Sequence, residues 1–306
     1  MKAGTYRNSL VMAQLALDSL AVRAVRSLRA SGVNALLLKG PTTARWLYPD
    51  PLGHVYTDVD LLVAPRNEQI ARRVLARDLG LTDHHAGSLG IYRPPHESAW
   101  VGDDGVIDLH VGLADIDRKY MERGWDVLWD RRVEFRLHGE TVPALDLVAR
   151  SAHVVIHASG KASSKAIADL ERLMALLDLR EWGLAAGLAE EIGLRGFFAD
   201  GIRGTPGGQS IAEALNLPRQ CSTMMILHSK GAIPEAAAIA RLSRVSWVEI
   251  PGVVMRWFKG PSKGVRVTRR RLIVAARLPR AALQVVRARH KSRVMDRCRQ
   301  ELSDAR

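Results

Sequence analysis

Residues 35–63 read ALLLKGPTTARWLYPDPLGHVYTDVDLLV. Two apolar runs of strand character frame this stretch. One ends at Lys39-Gly40, and the other carries Asp58 and Asp60 in its middle. Carboxylates placed close together repel, and burying either one is costly. The pattern becomes favourable if a cation sits between them.

Working outward, "VNALLLKG" reads as a short buried strand that Gly40 stops. Pro41 suits the first turn of a helix, which "TTARWLY" continues until Pro49 and Pro51 end it. "HVYTDVDLLV" reads as the second strand, closed by Pro65. Asp58 and Asp60 are two apart on it, so they share one face, while Val59, Leu61 and Val63 take the other. Upstream, residues 9–30 carry a helical pattern with Arg23, Arg26 and Arg29 along one stripe. Downstream, residues 67–79 predict a helix and residues 80–93 a weaker strand region. "SAWVGDDGVIDLHVGL" predicts a hairpin turning at Asp104-Gly105. Its second arm holds Asp108 between Ile107 and Leu109. "VEFRLHGETVPAL" predicts another hairpin turning at Gly139. From about Leu145 the pattern turns helical, over 145–158, 163–180, 183–192 and 233–243, with a glycine-rich loop at 201–210.

If the Asp108 strand pairs beside the Asp58/Asp60 strand, three carboxylates converge. Hard oxygen ligands of this kind suit Mg²⁺, with Mn²⁺ as a substitute. Two such ions roughly 3.5–4 Å apart would clamp a phosphoryl group undergoing in-line displacement. The other strand supplies a complement. Gly40 lets backbone approach a ligand closely, and the helix start after it, with the Thr42 and Thr43 hydroxyls, makes an anion site. Lys39 is either a solvated strand-end lysine or a phosphate contact, and Thr42 and Thr43 either cap the helix or touch the ligand.

The totals set outer bounds. The chain has 306 residues, enough for two domains or one large one, and an ordinary apolar fraction. Its two cysteines, Cys221 and Cys298, lie far apart without metal-ligand spacing. That fits a reducing cytosol and argues against a disulfide scaffold or a zinc site. No apolar run reaches the roughly 18–20 residues of a membrane span. The net charge of +13 is concentrated at one end: residues 256–306 hold 16 Lys/Arg against 3 Asp/Glu, leaving 29 of each sign before them. Pro251, Gly260, Pro261 and Gly264 mark a linker into this segment. Residues 262–306 mix Arg with Leu, Ile and Val. They would pack as a solvated helix pair, lie on an anionic membrane surface at its cytoplasmic face, or grip nucleic-acid phosphates.

Strand, glycine turn, helix, then Asp-x-Asp on a strand and a lone Asp on a later strand resembles the nucleotidyltransferase superfamily with the polymerase-β-like fold. "LLLKG…TDVDLLV…VIDLHVGL" is similar, more narrowly, to the bacterial family called uncharacterised nucleotidyltransferases. The resemblance covers residues 35–113. A weaker one, over 153–176, matches His157 and Asp169 to a helical segment of that family. It implies an α+β chain: a nucleotidyltransferase domain with a mixed sheet over 1–142, a helical domain over 143–260 and a basic helical tail over 261–306. It also implies Asp58, Asp60 and Asp108 as metal ligands and catalytic groups, and Gly40 as the phosphate turn. The substrate would be an NTP, with ATP first in line, and the acceptor a sugar, peptide or RNA. The chain departs from the family at Pro41, at His54 where an arginine is usual, and at Val111 where Trp is common. His54 could still meet phosphate, although imidazole is a weaker partner than guanidinium. His110 shares the Asp108 face, and it, His157 and Asp169 are either acceptor-side groups or ordinary polar contacts. Two alternatives stand beside nucleotidyl transfer to a hydroxyl with release of pyrophosphate. One is a catalytically degenerate binder of a nucleotide or partner. The other is an RNA- or tRNA-directed enzyme that uses the basic tail.

Overall fold

The computed structural model describes residues 3–84, 96–114, 116, 118–159 and 164–219. The region 233–243, the linker and the basic segment 262–306 lie outside the described residues. Helix α1 (Ala3–Ala30) leads into strand β1 (Ala35–Leu37), helix α2 (Pro41–Leu47), strand β2 (Val59–Val63) and helix α3 (Glu68–Arg77). Strands β3 (Thr82–Asp83), β4 (Glu97–Gly102) and β5 (Gly105–His110) follow, then helix α4 (Arg118–Asp130) and strands β6 (Val133–Leu137) and β7 (Glu140–Ala144). Helices α5 (Leu147–Ala158), α6 (Ser164–Leu176), α7 (Leu179–Glu191), α8 (Arg195–Arg203) and α9 (Gly208–Ala214) complete the described part. The strands form one mixed sheet in the order β3-β4-β5-β2-β1-β7-β6. This is the α+β architecture the resemblance implies. Among the described residues, no helix is long and apolar enough to cross a membrane.

The sheet divides two cores. On one face, Val59, Leu61 and Val63 of β2 pack with Leu20, Ala24, Val25 and Leu28 of α1, whose spacing makes one apolar stripe. On the other face, Leu36, Leu38 and Leu62 join Leu145, Val155, Leu173, Trp182 and Phe198 from the helical half. Helices α5–α9 therefore share their core with the sheet and cover the face that bears Asp60. All five residues of β2 are buried, because both of its faces are covered.

Several local expectations change. The second strand begins only at Val59, because the alternation breaks upstream. Asp50 caps a 3₁₀ turn over Pro51–Gly53, accepting from the Leu52 amide at 3.1 Å. His54 then faces α6, while the Tyr56 hydroxyl donates to Asp18 of α1 at 2.7 Å. The β4–β5 turn is Asp103-Asp104, since Gly102 pairs with Gly105. Gly105 begins β5 with φ 135°, and a Cβ there would lie 2.8 Å from the Leu17 side chain. The β6–β7 hairpin turns as expected, with His138 and Gly139 both at positive φ. The helix expected over 163–180 is two helices, divided by a capping box in which Asp178 and Glu181 each accept the other's amide.

Within 201–210, expected as a loop, only Gly204–Gly207 connects two helices; the rest belongs to α8 and α9. Gly201 lies inside α8 where that helix crosses α5, and a Cβ there would be 2.2 Å from the Val155 carbonyl oxygen. Gly187 in α7, by contrast, has open space where its Cβ would be. Gly201→Ala is expected to destabilise by about 2–3 kcal/mol through overpacking. Gly187→Ala should be neutral or stabilise by up to about 1 kcal/mol through helix propensity. Urea midpoints measure both, and an unchanged midpoint for Gly201→Ala would contradict this packing.

Candidate active site

Strands β2 and β5 run parallel, with Asp60 directly beside Asp108. Neighbouring strands lie about 4.8 Å apart, so these side chains project together from one face. His110 follows two residues after Asp108 on that face. Its Nε2 lies 3.1 Å from Asp60 Oδ1. Ligand atoms of Asp60, Asp108 and His110 fall within 4.8 Å of one another. Asp58 sits just before β2, half-buried, outside that tight group but on the wall of the same cavity.

The charge balance is uneven. Lys39 Nζ stands 3.1 Å from Asp60 Oδ1, the same oxygen that faces His110. Asp60 Oδ2 is buried without a hydrogen-bond partner. Burial raises the pKa of the Asp60 carboxyl. Lys39 and His110 outweigh that and hold it well below the usual carboxylate range. Asp108 goes the other way: burial, then the Asp60 charge, pushes it up to about 6. Burial lowers the pKa of Lys39, but Asp60 and Asp58 overcome it and raise it. The two adjoining pockets thus hold more carboxylates (Asp58, Asp60, Glu97, Asp108 and Asp169) than lysines (Lys39 and Lys165), and one buried carboxylate oxygen has no hydrogen-bond partner. Those features fit a divalent cation with oxygen preference, and the residues placed to hold it are Asp60 and Asp108, with Asp58 at the rim.

The other side of the pocket is built on Gly40, which precedes α2 with φ 74° and ψ −112°. A Cβ at Gly40 would lie 3.4 Å from the Tyr56 ring, so glycine suits both the conformation and the contact. Tyr56 is held in turn by Asp18, which also binds Arg45 at 3.0 Å. Of the two threonines, Thr43 lines the pocket beside Gly40. Thr42 turns inward and donates to the Leu38 carbonyl at 3.3 Å.

His54 is buried and lines this pocket. Its Nε2 lies 3.2 Å from Asp169 Oδ2, and its Nδ1 has no partner. Asp169 also accepts from the Tyr48 hydroxyl at 2.5 Å. The trio ties α6 to the segment between α2 and β2. His157 lies one helical turn from His153, and both line the two adjoining pockets together with Lys39, Asp58 and Asp60.

Sequence reasoning missed Lys165, His153 and Glu97, and His96, which reads as a surface residue because the sequence shows no ligand spacing around it, instead lines the cavity with Asp60 and Asp108. Lys165 lines the Gly40 pocket and donates to the Val55 carbonyl at 2.8 Å. Partial desolvation, then the charge of Lys39, lowers its pKa. The i, i+4 spacings Lys165/Asp169 and His153/His157 were visible signals. Glu97 opposes His110 across the β4–β5 ladder, which follows once the turn is set at Asp103-Asp104.

Asp108 yields a test with a definite sign. A carboxyl whose pKa rises on folding binds its proton more tightly in the folded state. Metal-free protein should therefore lose stability as pH climbs from about 4 to about 6, with the full penalty above that window. Asp108→Asn removes the penalty. At pH 7 without metal it should be more stable than wild type by about 1–2 kcal/mol, after discounting for the partly solvated side of the group. The gain should vanish near pH 4, and Mn²⁺ should raise the melting temperature of wild type only. Equal or lower stability of the variant at pH 7 would contradict the repulsion.

Residues 5–204 match the family described as an uncharacterised nucleotidyltransferase. No curated protein matches the chain. Among solved structures, the antibiotic-resistance factor ANT(2'')-Ia is similar over 57% of this chain and 92% of its own, at 13% identity and a TM-score of 0.39. An antigenic nucleotidyltransferase-like protein from Paracoccidioides brasiliensis is similar over 69% of this chain and 94% of its own, at 16% identity and a TM-score of 0.40. The family match spans α1 through α8 and includes both sides of the carboxylate pocket, so the chain belongs to the uncharacterised nucleotidyltransferase family.

Proposed function

We propose that the protein transfers a nucleoside monophosphate from an NTP to a hydroxyl of an acceptor, releasing pyrophosphate, and needs a divalent cation to do so. The observation that carries this is the pairing of Asp60 with Asp108 on adjacent parallel strands, beside the Lys39-Gly40 turn. Asp58, Asp60 and Asp108 would hold the metal, which supplies charge neutralisation at the phosphoryl group and the leaving pyrophosphate.

The chain's own groups divide the remaining work. Gly40 admits the polyphosphate close to backbone. Lys39 and Lys165, which line one pocket, hold its negative charge. The acceptor oxygen attacks the α-phosphorus, and the bond from that phosphorus to the bridging oxygen breaks. Pyrophosphate leaves with the electron pair. Asp108 takes the hydroxyl proton as general base. His54 and Asp169 position the pocket wall, because their ring and carboxylate are committed to one another. ATP is the first nucleotide to try, and the acceptor is a sugar, peptide or RNA hydroxyl.

Incubation with each α-labelled NTP, Mg²⁺ or Mn²⁺ and a cell extract tests this reading. Labelled product from wild type should fall by on the order of 10²–10³-fold in Asp60→Asn and Asp108→Asn. Lys165→Ala should chiefly raise KM for the NTP, by about tenfold, as loss of one charge-assisted contact implies. Equal label on the same product from wild type and both carboxylate variants would exclude the mechanism.

A further inference from the structure

A second group of metal-ligating side chains lies on the β4–β5 hairpin. His96, Glu97 and His110 place one ligand atom each within 4.8 Å of one another. Glu97 Oε2 is 3.5 Å from His96 Nε2 and 3.7 Å from His110 Nδ1. The backbone fixes this arrangement. Glu97 and His110 are direct cross-strand partners, and the Val111 amide donates to the His96 carbonyl at 2.7 Å. The His96 and His110 rings stand 6.0 Å apart, centroid to centroid.

His110 uses its two nitrogens in different directions. Nδ1 faces Glu97, while Nε2 faces Asp60 Oδ1 at 3.1 Å. A histidine that ligates a metal through one nitrogen commonly gives its other N–H to a carboxylate, which fixes the tautomer and strengthens the ligand. Asp60–His110 has that form. Two imidazoles and a carboxylate also differ in kind from the oxygen-only set of Asp58, Asp60 and Asp108. Imidazole suits Zn²⁺ and related transition ions, whereas carboxylates and water suit Mg²⁺.

We infer that His96, Glu97 and His110 form a separate site for a divalent transition ion such as Zn²⁺, joined to the carboxylate pocket through the Asp60–His110 contact. Three protein ligands leave a coordination position open, as in sites that take a water or substrate atom. All three ligands line the cavity that also holds Asp60 and Asp108, so the open position faces shared space. An ion on Nδ1 leaves Nε2 as the N–H donor to Asp60. This inference stands on hairpin geometry and does not require nucleotidyl transfer.

The test uses full-length protein stripped with a chelator, then titrated with Zn²⁺ against a chromophoric competitor in excess Mg²⁺. Wild type should bind one Zn²⁺. His96→Ala and Glu97→Gln should weaken it by at least about tenfold to a hundredfold, and Asp108→Asn should weaken it less than either. X-ray absorption of the wild-type Zn²⁺ complex should show two imidazoles, which keeps the inference testable even if a variant fails to fold. Three results would overturn it: no Zn²⁺ binding in excess Mg²⁺, affinity unchanged in His96→Ala or lost equally in Asp108→Asn, or a ligand shell of oxygen alone. Because no nucleotide is present, these results are separate from any failure of the transfer reaction.

Discussion

The site depends on confining one carboxylate. Asp60 sits in the middle of a strand that is buried on both faces, so its charge cannot be left to water. Lys39 and His110 both address one of its oxygens, and the other is left without a partner. Placing Asp108 at the same level on the neighbouring strand adds a second negative charge to this low-dielectric space. A fold selected only for stability would avoid that combination, since an unpaired buried acceptor and a like-charge pair are both destabilising. Such local conflict is expected where a ligand is meant to resolve it.

The surrounding structure holds this arrangement from both sides. Behind the sheet, α1 fixes the approach to β2 with polar contacts: Gln14 donates to the His54 carbonyl at 3.2 Å, and Asp18 accepts from Tyr56. Tyr56 then packs on Gly40, so the glycine turn and the aspartate strand are set by one side chain. In front of the sheet, α5 and α6 supply His153, His157, Lys165 and Asp169. Because these helices share a core with β1 and β2, the second wall of the pocket is tied to the first by apolar packing. Preorganisation of this kind is what charge-based catalysis requires.

The strand–turn–helix–strand order was legible in the sequence because apolar runs, Gly40, Pro41 and Pro65 act locally. The pairing of Asp60 with Asp108 could be anticipated only as a condition, since register between distant strands is a tertiary property. The extended reading of 54–58 failed because His54 and Tyr56 find partners on opposite sides of the sheet, on α6 and α1. Gly201 looked like loop composition, but it marks a close helix crossing, which no local pattern reveals. Glu97 and Lys165 escape the sequence, and His96 reads there as a surface residue, for the same reason: each is unremarkable in its own segment and gains meaning from what lies across from it. Helical spacing could have found Lys165, and the hairpin turn could have found Glu97.

The most direct test is anomalous diffraction from crystals grown with Mn²⁺ and an NTP analogue that cannot be cleaved at the α-phosphate. The account predicts a Mn²⁺ peak within coordination distance, about 2.0–2.6 Å, of both Asp60 and Asp108. Polyphosphate should run from that peak to the Gly40 turn, between Lys39 and Lys165. Nucleotide bound elsewhere, or Asp60 still contacted only by Lys39 and His110 at saturating Mn²⁺, would contradict it.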